Sequence, residues 1–507
     1  MDTNLFSMMQ QEFGLTAIIL IVLAQKALGT KSSPSGFLNL ANGLLVINLV
    51  VSWMMPHYGV IFNGFFVSNP LVLLEKTILL GAFLFIVSHH YNWLKTHEHL
   101  EEFYLLLITT LLGMNFMLSS GNFLLFYLGL EMTAIPMAAL VNFDMGKVKS
   151  SEGAMKMILS SAFSSGLFLY GVSLLYGITG TLSISSCINW PAEGNLHFIA
   201  LLLIFSGFAF KLSAVPFHFW TADVYEGAPL AITAYLSVVS KAAMVFVFIS
   251  VLTPLFQHFE VLYNHLMVVT ILLTITIGNL FAMRQENLKR FMAFSSIAQV
   301  GYVLMGLFAN GQNGNTAVLY FLLVYVVSNL TVFGALGVAF EMNGSEQLKS
   351  LSGLYKRNPV LAWLLAIGLF SLAGVPPTAG FFGKMFLVTA GAAKGNYWLV
   401  GIAAANMVVS LYYYLRIVRT IFMEEEVVVD GIGSAGVGSA GVGSAGVGSA
   451  GVGSTGVGSE GVNANKQANL ALYSLPGKIA FGIGIIGIVG LGIFSGAYTF
   501  IESFFIH

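Results

Sequence analysis

Six ionisable side chains within long apolar stretches of this sequence are of interest, because such residues are rare in these surroundings. They are five lysines and one carboxylate, namely Lys76, Lys156, Lys211, Lys241, Lys384 and Glu131. A charge at the centre of a membrane helix costs roughly 2.5–3.5 kcal/mol on insertion scales. Such groups therefore face a protein interior or a water-filled cavity, and they usually mark an ion path. The residue types predict proton transfer across a membrane.

Lysine suits proton transfer because its surroundings shift its pKa. The free amine has a pKa of about 10.4. Burial and neighbouring cations lower that pKa, and an adjacent carboxylate raises it. A buried lysine therefore becomes a proton donor near neutral pH when its carboxylate partner moves away. We hypothesise that Glu131 and Lys211 form an ion pair. Opening of this pair would send the proton to Lys241 and then to Lys384.

Each of these side chains also has a purely structural interpretation. Lys76 follows Glu75 near one end of its apolar stretch, so a local ion pair or snorkelling to the interface is favoured. We therefore expect a Lys76→Ala change to have little effect. Snorkelling is also an open alternative for Lys156, which lies near the end of its stretch. For the other four side chains, the alternative is a structural ion pair without a transport role.

The composition excludes several classes of protein. Hydrophobic residues make up 57% of the 507 residues and charged residues 8%, whereas soluble domains carry roughly a quarter charged residues. The formal net charge of −1 provides no basic surface for nucleic acid. Cys187 is the only cysteine, which excludes an internal disulfide and a cysteine-based zinc or iron–sulfur site. These features indicate an integral membrane protein.

The apolar runs predict an all-α fold of about fourteen transmembrane helices, because a helix needs about 20 apolar residues to cross the bilayer. Each loop takes the number of the predicted span that it follows. Lysine and arginine are concentrated in the odd-numbered loops and their flanking ends, while Lys394 is the only such cation in the even-numbered loops. Cytoplasmic loops are enriched in these cations, so we expect both termini in the periplasm. The full set of fourteen spans and the simple repeat at 431–460 favour a bacterial inner membrane. The start of the sequence does not resemble a signal peptide. The predicted spans are residues 14–29, 36–55, 70–89, 102–118, 121–141, 154–177, 196–216, 229–253, 262–283, 290–309, 316–340, 360–391, 396–422 and 476–503.

Two predicted spans are broken by proline close to one of the lysines. The break residues are Pro216 in span seven and Gly374, Pro376 and Pro377 in span twelve. Proline removes a backbone donor, and freed carbonyls at membrane depth are tolerated only within protein or along a cavity. The breaks lie five spans apart, and five is odd, so they predict two inverted five-helix repeats, spans 4–8 and 9–13. Two unrelated kinks are the alternative.

These features divide the chain into five segments. The three initial spans occupy residues 1–99. The two five-span repeats occupy residues 100–253 and 254–425, the loop occupies 426–468, and the final span occupies 469–507. The loop contains GVGSA-type pentapeptides at 431–460. They lack large apolar side chains, so a flexible coil is predicted. A tether or partner-binding segment and a tolerated insertion are both open interpretations of this repeat.

Four segments resemble the antiporter-like membrane subunits of proton-pumping NADH:quinone oxidoreductase, respiratory complex I, and among them subunit N. They are KLSAVPFHFWTADVYEGAP at 211–229, TAYLSVVSKAA at 233–243, NLKRFMAFSSIAQVGY at 287–302 and GVPPTAGFFGK at 374–384. The resemblance implies a fourteen-helix fold of two inverted five-helix units. It also places four of the charged side chains along a central hydrophilic axis, namely Glu131, Lys211, Lys241 and Lys384.

The resemblance carries further expectations about single residues and partners. Lys156 matches a lysine in span six of the family, while Gln299 stands where many members have histidine. The family implies a proton-translocating subunit of a quinone-reducing complex. NADH, flavin, iron–sulfur clusters and quinone are then expected in partner subunits, with no redox cofactor or metal in this chain. An Mrp-type or stand-alone cation/proton antiporter subunit and a non-transporting membrane scaffold are the alternatives.

Overall fold

The computed structural model describes residues 7–29, 33–189, 194–423, 474–494 and 496–505. Helices account for almost all of the regular structure in these ranges. Two short antiparallel strands, β1 (Gly59–Ile61) and β2 (Phe66–Ser68), pair in register Val60 to Val67. The predicted repeat at 431–460 lies outside the described residues.

Sixteen helices are numbered here in chain order, and the first seven coincide with the first seven predicted spans. They are α1 (Gln10–Ala27), α2 (Pro34–Met54), α3 (Pro70–His89), α4 (Leu100–Leu118), α5 (Phe123–Val141), α6 (Val148–Thr179), α7 (Gly194–Leu212), α8 (Phe219–Gly227), α9 (Leu230–Leu255), α10 (Glu260–Arg284), α11 (Leu288–Ala309), α12 (Gln312–Asn343), α13 (Pro359–Ala373), α14 (Ala379–Ala392), α15 (Tyr397–Phe422) and α16 (Leu475–Ile493). Short helical turns occur at Phe62–Gly64, Tyr91–Thr96, Ile184–Ile188, Leu348–Leu351, Leu354–Arg357, Gly496–Glu502 and Ser503–Phe505.

Twelve helices of the described ranges are long and apolar enough to cross a membrane, which confirms the predicted all-α, multi-pass membrane fold. The two remaining predicted spans fall on α1 and on the pair α13 and α14. Helix α1 begins with the polar residues Gln10, Gln11 and Glu12, which lower its mean hydropathy. Because α13 and α14 are separate shorter helices, the total of fourteen spans stays a prediction.

Two pairs of features recur at the positions that a five-span repeat requires. Helices α6 and α12 each contain 32 residues and end at a left-handed glycine, Gly180 and Gly344 respectively. Helix α4 packs on α5, where a methyl group added to Gly113 would overlap the carbonyl oxygen of Gly129. In the same way α10 packs closely on α11 at Gly278. Small residues permit such close helix contacts. The inverted relation of the two units stays a prediction.

The helix breaks fall where the sequence places proline and glycine. Pro216 lies between α7 and α8, while Gly374, Pro376 and Pro377 lie between α13 and α14. Gly374 adopts φ +85°, a left-handed conformation that ends α13 and that glycine adopts at low cost.

Helix α11 lies at the centre of the bundle, with its apolar segment buried on every side. Helices α9 and α12 are nearly as enclosed, whereas α2, α15 and α16 bury only about a third of their apolar segments. A helix that is apolar all round is buried within protein, or it faces lipid when it spans a membrane. The enclosed helices therefore provide surroundings in which a polar path can avoid lipid.

Candidate proton-transfer site

Lys241 lies in the interior of the bundle, on α9. Its side chain is 3% exposed, and Nζ donates a hydrogen bond of 2.7 Å to Oγ of Ser296 on α11. The amine also lies 5.7 Å from the ring centre of Tyr225, a distance at which cation–π attraction operates. A π-helical turn at Leu236–Ser240 directly precedes Lys241. Such turns are frequent at functional sites, and this one determines the direction in which the lysine projects.

Lys384 lies beside the break between α13 and α14, and it is 1% exposed. Its Nζ donates hydrogen bonds to the carbonyl oxygens of Leu372 at 2.7 Å and Ala373 at 3.2 Å. These carbonyls belong to the last turn of α13, where no following helical turn supplies donors. Tyr302 places its ring centre 5.3 Å from the amine. The break therefore creates the acceptors that hold this lysine.

Helix α11 connects the two deeply buried lysines. Ser296, the partner of Lys241, is one turn from Gln299, whose Nε2 donates to the Leu372 oxygen at 3.2 Å. That oxygen is also an acceptor for Lys384. Gln299 Oε1 is buried without a protein partner, and it is the acceptor that a hydrating water would use. An amide cannot bind a proton at neutral pH, so Gln299 can orient a relay but cannot be a carrier.

Glu131 and Lys211 are close to each other but form no direct ion pair. Lys211 Nζ donates to Oγ of Ser161 at 2.7 Å, and Ser165 Oγ donates to Oε1 of Glu131 at 2.6 Å. Ser161 and Ser165 are one turn apart on α6, so this helix contributes one hydroxyl to each charged group. The predicted direct pair is not formed in this structure, because the two side chains meet the same face of α6 at successive turns.

A cavity lies beside Lys211. Its lining includes Ser161, Lys211 and Trp220, and it extends to Ser240, which precedes Lys241 in the chain. A second, more open groove between α5 and α6 contains Glu131. Lys211 is only half-buried. The Lys211 region is therefore more open than the regions of Lys241 and Lys384.

Lys156 does not lie with the other lysines. Its side chain is 42% exposed and forms salt bridges with Glu152 at 2.6 Å and Asp223 at 2.5 Å. Asp223 also binds Arg290 at 2.7 Å. Partial burial raises the pKa of Asp223, but hydrogen bonds from Lys156 and Arg290 outweigh it and lower this pKa below its ordinary value. The snorkelling alternative describes this position of Lys156 at the bundle surface.

The sequence interpretation of Lys76 is wrong, because this lysine neither snorkels nor forms its salt bridge with Glu75. Its side chain is 4% exposed and lies 2.6 Å from Oε1 of Glu12, on α1. Glu12 and Glu75 are each 2% exposed. From the sequence, Glu131 is the only carboxylate predicted at a site within a span, so neither Glu12 nor Glu75 is among the predicted site residues. Glu75 was the signal in the sequence that could have revealed these buried charges, because it is a carboxylate within the apolar run of α3.

Comparison with known proteins places these residues in a broad family. Residues 120–410 match the family described as NADH:quinone oxidoreductase/Mrp antiporter, TM. The chain is 43% identical to NADH-quinone oxidoreductase subunit N of Azobacteroides pseudotrichonymphae genomovar. CFP2, over 85% of this chain and 92% of that protein. It is 42% identical to the subunit N of Phocaeicola vulgatus, over 83% and 90% of the two chains.

Solved structures show the same fold. A chain of respiratory complex I from Thermus thermophilus with bound Aureothin matches with a TM-score of 0.70 and 26% identity, covering 94% of this chain and 97% of that one. A chain of the Mrp complex from Dietzia sp. DQ12-45-1b matches with a TM-score of 0.76, covering 98% and 99% of the two chains. Because its identity is 23%, this second likeness supports the fold alone.

Proposed function

The chain belongs to the family of NADH:quinone oxidoreductase and Mrp antiporter membrane subunits, within it to the subunit N group, and from that premise we propose how it works. It carries protons across the membrane as one subunit of an NADH:quinone oxidoreductase. The observation that supports this most directly is the buried connection from Lys241 through Ser296 and Gln299 to the carbonyl that also holds Lys384.

The proton path begins at the more open end of this arrangement. Glu131 and Lys211 receive a proton from the groove between α5 and α6, and the two serines of α6 keep their charges apart in the state described here. Rotation of these hydroxyls allows the carboxylate and the amine to approach. When they separate, the lysine donates its proton through the cavity toward Ser240 and Lys241.

Transfer onward uses the mutual repulsion of the buried amines. Two ammonium groups in a poorly screened interior raise each other's energy, so a proton arriving at Lys241 favours release from Lys384. Ser296 and Gln299 lie between them and orient the intervening path. No carboxylate of the described residues forms a salt bridge with Lys241 or Lys384, so these two amines respond to each other rather than to a fixed counter-ion.

Electron transfer takes place in partner subunits of this proposed complex. A single cysteine cannot hold an iron–sulfur cluster, and NADH, flavin and quinone would bind elsewhere. Quinone reduction would drive the opening of the Glu131–Lys211 region through contacts between membrane subunits. We place the complex in a bacterial inner membrane with both termini of this chain in the periplasm, following the distribution of loop cations.

Replacement of Lys241 tests the proposal in the whole complex. Purified complex carrying Lys241→Ala should assemble, yet its proton uptake into liposomes should fall by roughly 100-fold or more, as for loss of a general acid–base group. Lys394→Ala is the matched control, because Lys394 is 28% exposed and pairs with Glu260 near the bundle surface. Pumping at the unaltered rate in the Lys241→Ala complex would refute the proposal.

A further inference from the structure

The three N-terminal helices contain a second cluster of buried charges, outside both proposed five-helix units. Glu12 on α1 and Glu75 and Lys76 on α3 are each less than 5% exposed. Charged side chains within membrane helices are costly, and they mark functional sites by default. Nothing in the proton path above uses these three residues.

The cluster lies at one defined end of the helix bundle. Glu12 is in the first turn of α1, and Lys76 is in the second turn of α3. Ser52, in the last turn of α2, lines the same cavity. The opposite end of α1 carries Lys26, which pairs with Glu102 at the start of α4. The cluster is therefore at the end with few loop cations.

The charges of this cluster do not balance. Lys76 Nζ lies 2.6 Å from Glu12 and 5.1 Å from the ring centre of Phe66, so one ammonium neutralises one carboxylate. Glu75 has no salt bridge among the described residues. An isolated buried carboxylate is expensive, and such a group takes up a proton instead. The three residues together thus hold one carboxyl proton, on Glu75, beside the ion pair of Glu12 and Lys76.

A cavity connects Glu12 and Lys76, two of the three residues of this cluster, to the surface of the protein. Its walls include Gln11, Glu12, Ser52, Ser68 and Lys76, and His57 stands at its exposed mouth. Gln11 is 3% exposed, and neither polar atom of its side-chain amide has a protein partner. Buried polar groups require hydrogen-bond partners, so this amide indicates a hydrated cavity. Water can therefore carry protons between the cluster and the surface.

Helix α3 also contacts the helix that carries Lys241. The ring of Phe83 meets that of Tyr235 on α9 at a centroid distance of 6.3 Å, edge to face. Glu75 is two turns before Phe83 along the same buried face of α3. The cluster is thus attached to the core helix on one side and open to the surface on the other.

We propose that Glu12, Glu75 and Lys76 form a proton-exchange site at the cation-poor end of the bundle, through which protons leave the subunit. The inference rests on the proposed function, since it adds an exit at the cation-poor end for protons that the buried lysines of that path release. The other titratable groups that face this cavity are His57 and Tyr58, at its mouth. Release requires only that the carboxyl proton reach water in the cavity by way of Lys76 and Glu12, which line it, with no bonds other than O–H and N–H broken.

Infrared difference spectroscopy of the whole complex tests the site directly. On a pH change, the unaltered complex should show a carbonyl band from a protonated carboxyl, and this band should disappear in Glu75→Gln. The same variant should pump roughly 100-fold more slowly in liposomes. Glu260→Gln is the matched control, because Glu260 is 68% exposed and pairs with Lys394. It should retain both the band and the pumping rate.

Two outcomes would overturn the inference. A band that persists in Glu75→Gln would show that the cluster holds no exchangeable proton. A band that disappears while pumping is unchanged would remove the release role. If Glu75→Gln does not assemble, Glu75→Asp keeps the carboxyl, and the band should shift rather than vanish. Lys241→Ala separates the two proposals. Unreduced pumping in this variant would refute the proposed function, whereas the carbonyl band would still test the site formed by Glu12, Glu75 and Lys76.

Discussion

Lys211 and Lys384 both lie beside a broken helix, yet their amines bind different kinds of acceptor. Lys211 binds the hydroxyl of Ser161, is half-buried, and lies near Glu131. Lys384 binds two backbone carbonyls of α13 and is 1% exposed. A hydroxyl rotates and can donate or accept, whereas a carbonyl at a helix end is fixed by the backbone. The first region is therefore adjustable and the second is rigid.

This difference suggests a division of labour between the two halves of the subunit. A switch needs two arrangements of similar free energy. The rotatable hydroxyls of Ser161 and Ser165, one beside the amine of Lys211 and one beside the carboxylate of Glu131, provide them. The fixed carbonyls beside Lys384 instead define one position for its amine. Coupling to partner subunits should act on the Glu131–Lys211 region, while the Lys384 region should tolerate little change in its backbone.

The largest effect is expected from a small change at the rigid region, Gly380→Ala. A methyl group there would overlap the carbonyl oxygen of Ser371, a backbone atom that cannot turn away. Helix α14 must then shift relative to α13, at a cost of roughly 1–3 kcal/mol, typical of overpacking. The shift moves Lys384 off its carbonyls. We expect a lower melting temperature of the purified complex and almost complete loss of pumping.

A matched control for this change is Gly401→Ala on α15. Gly401 is also a helical glycine, but an added methyl group would meet no atom within 4 Å. This variant should melt and pump like the unaltered complex, or be slightly more stable, because alanine favours helix. If both alanine variants behaved alike, the Lys384 region would be as adjustable as the Lys211 region, and the contrast would disappear.

A smaller effect is expected from Ser161→Ala in the adjustable region. The change removes the hydroxyl that accepts the hydrogen bond of Lys211, and a hydrogen bond to a charged group contributes about 1.5–3 kcal/mol. Because Glu131 can approach and replace the lost partner, we expect pumping to fall by roughly tenfold rather than to vanish. The fold should be unaffected, as measured by the melting temperature.

Ser160→Ala is the control within the same helix. Its hydroxyl bonds to the carbonyl oxygens of Lys156 and Met157, one turn earlier, so its loss should leave pumping unchanged. Equal losses of pumping in Ser161→Ala and Ser160→Ala would mean that α6 contributes to pumping only through its packing and not through the hydroxyl of Ser161. A complete loss in Ser161→Ala would show that the hydroxyl itself is indispensable and that Glu131 cannot substitute for it.

The sequence was sufficient for the features that depend on composition and on local chain chemistry. Apolar runs located the twelve spans, and the prolines located both breaks, because helix length and proline geometry are local properties. The burial of Lys241 and Lys384 followed from their position within such runs. These predictions needed no knowledge of how the helices pack.

The missed features depend on contacts between distant parts of the chain. Lys76 pairs with Glu12, on a different helix, rather than with its neighbour Glu75, since adjacent residues project from different faces of a helix. The serines that separate Glu131 from Lys211 depend on the rotation of α6 about its axis. Neither rotation nor pairing is encoded in a local pattern of apolar residues, so one sequence without its fold could not reveal them.

The smallest effect is expected at the surface, from Lys156→Ala. This side chain is 42% exposed, and exposed ion pairs contribute about 0.2–1 kcal/mol, an amount that salt reduces. Pumping should therefore fall less than in Ser161→Ala, and the small loss of stability should shrink further at high ionic strength. Melting temperatures of the Lys156→Ala complex and of the unaltered complex, at low and at high salt, measure this loss of stability.

The pH dependence of this small effect has a defined sign. Asp223, the partner of Lys156, has a lowered pKa in the fold, because hydrogen bonds from Lys156 and Arg290 outweigh its partial burial. A carboxyl with a lowered folded pKa contributes stability above its unfolded pKa and loses it as pH falls through the folded value. The difference in stability between the Lys156→Ala complex and the unaltered complex should thus be constant near neutral pH and vanish in acid. A loss of pumping as large as that of Lys241→Ala would instead place Lys156 on the proton path, and the surface region would then be as important as the buried ones.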